Sequence, residues 1–144
     1  MKHLFSTICA FLIIGTLSAQ DVFGKWKTID DETGKEKSIV EIYEVNGHVY
    51  AKIIQLLDKD KQDAICENCD DNDARKNQPV KGMVIIDGLK KDGNEYSGAT
   101  ILDPKKGKVY KCKIWLDEEN PNKLNVRGYI SFFFRTQNWF RATE

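Results

Sequence analysis

The chain has 144 residues, 22 Lys and Arg against 22 Asp and Glu, and 41% hydrophobic residues. That is one domain's worth of globular rather than disordered sequence, and a formal net charge of zero excludes the broad basic field of a nucleic-acid binder. Two histidines, one of them His3, leave little room for His-based chemistry.

Lys2 and His3 precede an apolar run from Leu4 to Leu17, followed by Ser18-Ala19-Gln20. A charged start, a short apolar stretch and a small residue form the pattern of an export signal, with cleavage expected after Ala19. The run is too short for a bilayer span, which needs about 20 apolar residues. Residues 1–19 are therefore read as a signal peptide and residues 20–144 as a single domain, periplasmic or secreted, with no membrane span of its own. Oligomeric state leaves no mark in the sequence.

The remaining signals are short and have period two. Gly24–Thr28 opens the set and Ser38–Val45, rich in Ile, Val and Tyr, follows. Asn46-Gly47 is a strong hairpin turn signal, and His48–Leu56 is the returning strand. A polar stretch from Asp58 to Lys81 interrupts the pattern as a loop within the domain. Met83–Leu89 resumes it, Asp92-Gly93-Asn94 turns, and Glu95–Leu102 returns. After the Asp103–Gly107 turn, Lys108–Leu116 places Tyr110, Cys112, Ile114 and Leu116 on one face and Lys111 and Lys113 on the other. Lys123–Ile130 and Arg135–Arg141 complete about eight strands with no amphipathic helix between them. Such a series predicts an all-β, antiparallel meander closed into a barrel, wide enough to be filled by side chains or to hold one small ligand. Gly98 and Gly128 fall inside strand patterns, where glycine marks a bend or bulge.

Chemistry-bearing residues are sparse. Beyond the signal, the cysteines are Cys66, Cys69 and Cys112. Cys66-x-x-Cys69 is open to a redox reading, to a metal reading together with Cys112 and His48, and to a structural disulfide. It lies in a polar loop rather than at the helix start that a redox thiolate needs, and the metal reading has non-standard spacing. In an exported chain the disulfide reading is favoured, with Cys112 inward and unpaired. Asp70, Asp71, Asn72 and Asp73 lack the Gly and Glu positions of a calcium loop and read as a solvated acidic loop. Ser38, Ser97 and Ser131 lie outside any nucleophile motif, and Glu41 and Asp87 do not form an assignable carboxylate pair. No catalytic residue, metal or cofactor is assigned, and an enzyme is the less favoured reading.

Two patterns carry a resemblance. Gly24-x-Trp26 opens the first strand and Trp139-x-Arg141 closes the last. This resembles the calycin or lipocalin arrangement, which implies a Trp packed across the barrel's closed end beneath a late Arg. Trp26, Trp139 and Arg141 are read as this structural clasp. Over nearly the whole exported chain, the order of Gly24-Lys25-Trp26, Cys66-x-x-Cys69, Pro79-x-x-Gly82, Ile101-Leu102-Asp103-Pro104, Gly107-Lys108-x-Tyr110, Val126-Arg127-Gly128-Tyr129 and Arg135-Thr136-Gln137-x-Trp139-x-Arg141 is similar to the bacterial exported family catalogued as domain of unknown function 2147. That resemblance implies a lipocalin-like barrel outside the cytoplasm and transfers no mechanism. The chain departs from the family pattern at Tyr96-Ser97-Gly98-Ala99 and at Ser131-Phe132-Phe133-Phe134.

The last two strands are dense in polar and aromatic residues. Arg127, Tyr129, Arg135 and Gln137 are read as a polar-tipped ligand pocket. The expectation is a small exported binding module for an apolar or amphipathic ligand. Its rivals are an envelope interaction protein with a filled barrel, meeting a partner through Phe132–Phe134, and a Cys66/Cys69 redox protein.

Overall fold

The computed structural model describes residues 21–143; the expected signal peptide, residues 1–19, lies outside them. Eight strands follow one another in the order β1 Gly24–Ile29, β2 Glu36–Val45, β3 His48–Leu56, β4 Val84–Asp92, β5 Glu95–Asp103, β6 Lys108–Leu116, β7 Lys123–Ile130 and β8 Phe133–Arg141. Each pairs antiparallel with the next, and β8 returns to β1, closing the barrel. β3, β6 and β7 have the bounds expected from the sequence. β2 begins two residues earlier than expected, β4 runs on through Lys90-Lys91-Asp92, and β8 begins at Phe133. These extensions carry polar or exposed side chains, so alternation does not reveal them. Backbone pairing of Lys90 with Ser97, and of Tyr129 with Phe134, holds them in the sheet.

The turns alternate between two ends. The β2–β3, β4–β5 and β6–β7 connections lie at the end where β1 starts and β8 finishes. Asn46 and Gly47 both take positive φ, 52° and 78°, as a type I′ turn requires. The β1–β2, β3–β4, β5–β6 and β7–β8 connections lie at the opposite end, which we call the mouth. Gly98, with φ of 87°, sits where the β5–β6 register shifts between Tyr96 and Ala99. Gly128 has a different reason: an added Cβ would lie 3.3 Å from Tyr110 Cβ, so its bareness lets the Tyr110 ring lie across β7.

The inward positions divide at mid-height. Towards the closed end Trp26, Val40, Ile42, Leu89, Ile114 and Leu124 are fully buried and fill the interior. Cys112 lies above them, free and buried. Desolvation pushes its thiol up to about 12, so it stays protonated at neutral pH.

The seam between the first and last strands is short. Only Trp26 with Arg141 and Lys27 with Phe140 pair across it. The Arg141 guanidinium lies 4.3 Å from the centre of the Trp26 ring and donates to the carbonyls of Phe23 at 3.0 Å, Asp21 at 2.9 Å and Pro121 at 3.2 Å. Trp26 donates from Nε1 to the Val22 carbonyl at 2.8 Å. One guanidinium thus joins the N-terminal segment, the β6–β7 loop and the end of β8. Trp26→Ala should destabilise the barrel by about 3–5 kcal/mol. In a double-mutant cycle with Arg141→Lys, denaturant unfolding should give a coupling of about 0.5–2 kcal/mol. Additivity would mean that ring and guanidinium do not act on one another.

Candidate functional site

Above the filled half the interior is open. A cavity of about 1240 Å³ runs from mid-barrel to the mouth, larger than ordinary small-molecule sites, which are roughly 300–1,000 Å³. Its lower wall is apolar: Ile53, Ile85, Leu102, Val126 and Trp139. The interior is filled below and empty above because inward residues change. Where the closed half carries Trp26, Val40 and Leu124, the same faces of β1, β2 and β7 carry Thr28, Ser38 and Gly128 nearer the mouth.

Two polar groups face this space. Thr28 and Ser38, both buried, share a hydrogen bond of 2.6 Å between their hydroxyls. Nearer the mouth, Asp31 in the β1–β2 loop reaches β8. Gln137 donates from Nε2 to Asp31 Oδ2, the Arg135 guanidinium lies 3.2 Å from the same oxygen, and Trp139 Nε1 donates to Gln137 Oε1 at 3.4 Å. This chain of side chains crosses the seam where β1 and β8 no longer share ladder bonds. Beside it, Lys105 pairs with Glu32 at 3.1 Å. The Thr33 backbone N–H holds Asp30 below the usual carboxylate range.

The segment between β3 and β4 walls one side of the mouth. It holds a short 3₁₀ turn, Lys59–Lys61, and an isolated bridge between Ile65 and Pro79. Cys66 and Cys69 form a disulfide, and both are buried. The short loop they close packs on the β5–β6 turn, where Asn68 Nδ2 donates to the Lys105 carbonyl at 3.0 Å. A Cβ on Gly107 would fall 1.8 Å from the Asn68 carbonyl oxygen, so only glycine permits this approach. The disulfide is a staple at the rim, with no helix start to activate a thiolate. Arg75 then ties the segment to the barrel. It donates from Nε to Asp73 Oδ1 at 2.9 Å, from Nη2 to Oδ2 at 2.8 Å and from Nη1 to the Val84 carbonyl at 3.1 Å.

The four residues grouped from the sequence separate into two places. Arg135 and Gln137 line the cavity. Arg127 and Tyr129 do not: Val126 and Gly128 take the inward positions of β7, and their neighbours point outward. There the Arg127 guanidinium lies between the rings of Trp115, at 4.9 Å, and Phe134, at 4.3 Å, and its Nε donates to Thr136 Oγ1 at 2.8 Å. Of the clasp residues, Trp26 and Arg141 touch at the closed end, whereas Trp139 stands two positions higher as a wall of the cavity. Sequence reasoning weighed Ser38 only as a nucleophile and did not single out Thr28 or Asp31. Hydroxyls at inward parity were a usable signal for the first two. Nothing local marked Asp31, whose partners lie more than a hundred residues away.

Comparison with known proteins agrees with this geometry. A family described as "Uncharacterized protein conserved in bacteria (DUF2147)" matches residues 24–141. The chain belongs to that family. The match takes in every strand from Gly24 to Arg141 and therefore the whole barrel. A solved protein of Helicobacter pylori, HP1028, described as belonging to the lipocalin family, is similar with a TM-score of 0.72 and 23% identity, over 86% of this chain and 84% of that one. The likeness shows a lipocalin-like fold. No curated protein matches the chain.

The tie from Arg75 gives a pH prediction. Hydrogen bonds from Arg75 lower Asp73 from 3.8 to about 2, and the pair is mostly shielded, with side-chain exposures of 25% and 16%. A depressed carboxylate stabilises the fold above its unfolded value and loses that contribution as pH falls through the folded one. Between pH 5 and pH 2 the protein should therefore lose about 2 kcal/mol more stability than its Asp73→Asn variant. Chemical denaturation at the two pH values measures this; parallel losses in both proteins would refute the tie.

Proposed function

We propose that this protein is a small exported binding module that holds one amphipathic molecule in the upper half of its barrel. The observation that carries the reading is the cavity itself, floored by Val126, Ile85, Leu102 and Trp139 and open at the mouth. Apolar walls take an apolar body, and the few polar groups fix its direction. Arg135 and Gln137, with Asp31, would meet a polar end at the mouth, and Thr28 and Ser38 offer a hydroxyl pair deeper inside. The open upper half of the interior argues against the filled-barrel reading. The buried Cys66–Cys69 staple argues against the redox reading.

An exported location is supported by the apolar leader ending at Ala19 and by the Cys66–Cys69 disulfide, which persists in oxidising compartments. On this reading residues 1–19 are removed and residues 20–144 form the working domain.

The test is titration with a fluorescent fatty acid. The protein should enhance its emission, and Val126→Trp, which places an indole in the cavity, should weaken binding about tenfold or more while the variant stays folded. Equal binding by both proteins would place the probe elsewhere and end this reading.

A further inference from the structure

At the mouth, the β7–β8 turn carries an apolar tip: Ile130, Phe133 and Phe134 border the cavity's rim, and Phe132 stands clear of it. Phe132 is 95% exposed, Phe133 80% and Phe134 59%, with Ile130 at 52% beside them. Ser131 takes a φ of 56°, so the strands reverse within two residues and the tip projects. A stable protein–protein interface takes roughly 800 Å² and about 20–30 residues from each partner. A convex turn of four apolar side chains falls far short of that and has no groove for a partner's side chain. Insertion into a soft apolar medium can cover such a tip on all sides.

Charge supports the same occupant. β6, β7 and β8, the three strands around the tip, contain seven Lys and Arg and no Asp or Glu, in a chain whose formal charge is zero. Lys113 and Lys123 are paired with carboxylates from outside these strands. Lys111 and Arg127 have no carboxylate partner among the described residues. Lys111 stands opposite Tyr129 in the ladder, and Arg127 packs on Phe134, so both lie just behind the tip. Phe side chains on an interfacial element bury into the boundary between headgroups and acyl chains, and each cation near an anionic surface adds to the attraction.

We propose that the Phe132–Phe134 turn inserts into an anionic phospholipid bilayer, with Lys111 and Arg127 against the headgroup phosphates. This docking sets the cavity mouth at the lipid surface, where an amphipathic molecule could pass without crossing water. It rests on the tip and the basic strands and does not require the cavity to be occupied.

The experiment is flotation with vesicles of phosphatidylcholine and phosphatidylglycerol. The chain from Gln20 is used, because residues 4–17 would bind lipid themselves. Among the described residues, the eight strands of the closed barrel and the core they enclose lie within residues 21–143, so the chain from Gln20 keeps all of them. It should float with the vesicles. Phe132→Ser with Phe133→Ser should lower the bound fraction about tenfold or more, leaving thermal unfolding unchanged because both side chains are exposed. Lys111→Gln with Arg127→Gln should weaken binding and flatten its salt dependence. Val126→Trp should bind vesicles like the parent, which separates failure of the cavity reading from failure of this one. Flotation of the Phe variant at the parent's level would overturn the proposal. So would no flotation of the parent, including the case in which the parent instead forms a dimer that the Phe substitutions abolish.

Discussion

The Arg141 guanidinium over the Trp26 indole is the contact on which the barrel depends. Closing eight strands into a cylinder means bringing together the two ends of the chain, against loop-closure entropy. Only two residue pairs of ladder join β1 to β8, so backbone hydrogen bonding alone is a weak seam. Arg141 adds three carbonyl acceptors from two separate segments and a ring face. This concentrates closure at one end. The other end of the seam, without ladder bonds, is bridged through Asp31.

That asymmetry explains the division of the interior. Large side chains crowd the end where the seam is tight, and the inward series on β1, β2 and β7 shrinks to Thr28, Ser38 and Gly128 towards the mouth. An eight-stranded barrel is close to the width that side chains can just fill, so a few small residues at one level are enough to leave a chamber. The cost is a rim with little core beneath it. The Cys66–Cys69 staple, the Arg75–Asp73 tie and the bare Gly107 all hold the β3–β4 segment against that rim. They act at the mouth because packing there is thinnest.

Much of the architecture was legible in the sequence. Period-two runs bounded by Asn46-Gly47, Gly93-Asn94 and Asp103–Gly107 place the strands, since each turn has its own local chemistry. The parity of Tyr110, Cys112 and Ile114 places Cys112 inward. The clasp was legible through resemblance, and only for Trp26 and Arg141. Trp139 shares their inward parity but stands at another height, which parity cannot report. The site was less legible. Arg127 and Arg135 look alike as cations in adjacent strands. One residue of parity sends the first outside the barrel and the second to the cavity. Asp31 lies in a loop where no period applies, and its partners are set by the closure of the barrel. The β3–β4 segment read as an interruption because its order comes from side-chain ties, a disulfide and one isolated bridge instead of a periodic strand.

The three tryptophans sample the three environments that this account distinguishes: Trp26 in the filled closed end, Trp115 on the outer face beside Arg127, and Trp139 in the cavity wall. Two-dimensional proton–nitrogen spectra of the indole groups, recorded while dodecanoate is added, therefore test the central claim most directly, that the barrel is filled below and open to ligand above. The Trp139 signal should move in a saturable way, with those of Trp26 and Trp115 fixed. Movement of Trp115 alone, or a Trp139 signal unmoved at saturation, would contradict it.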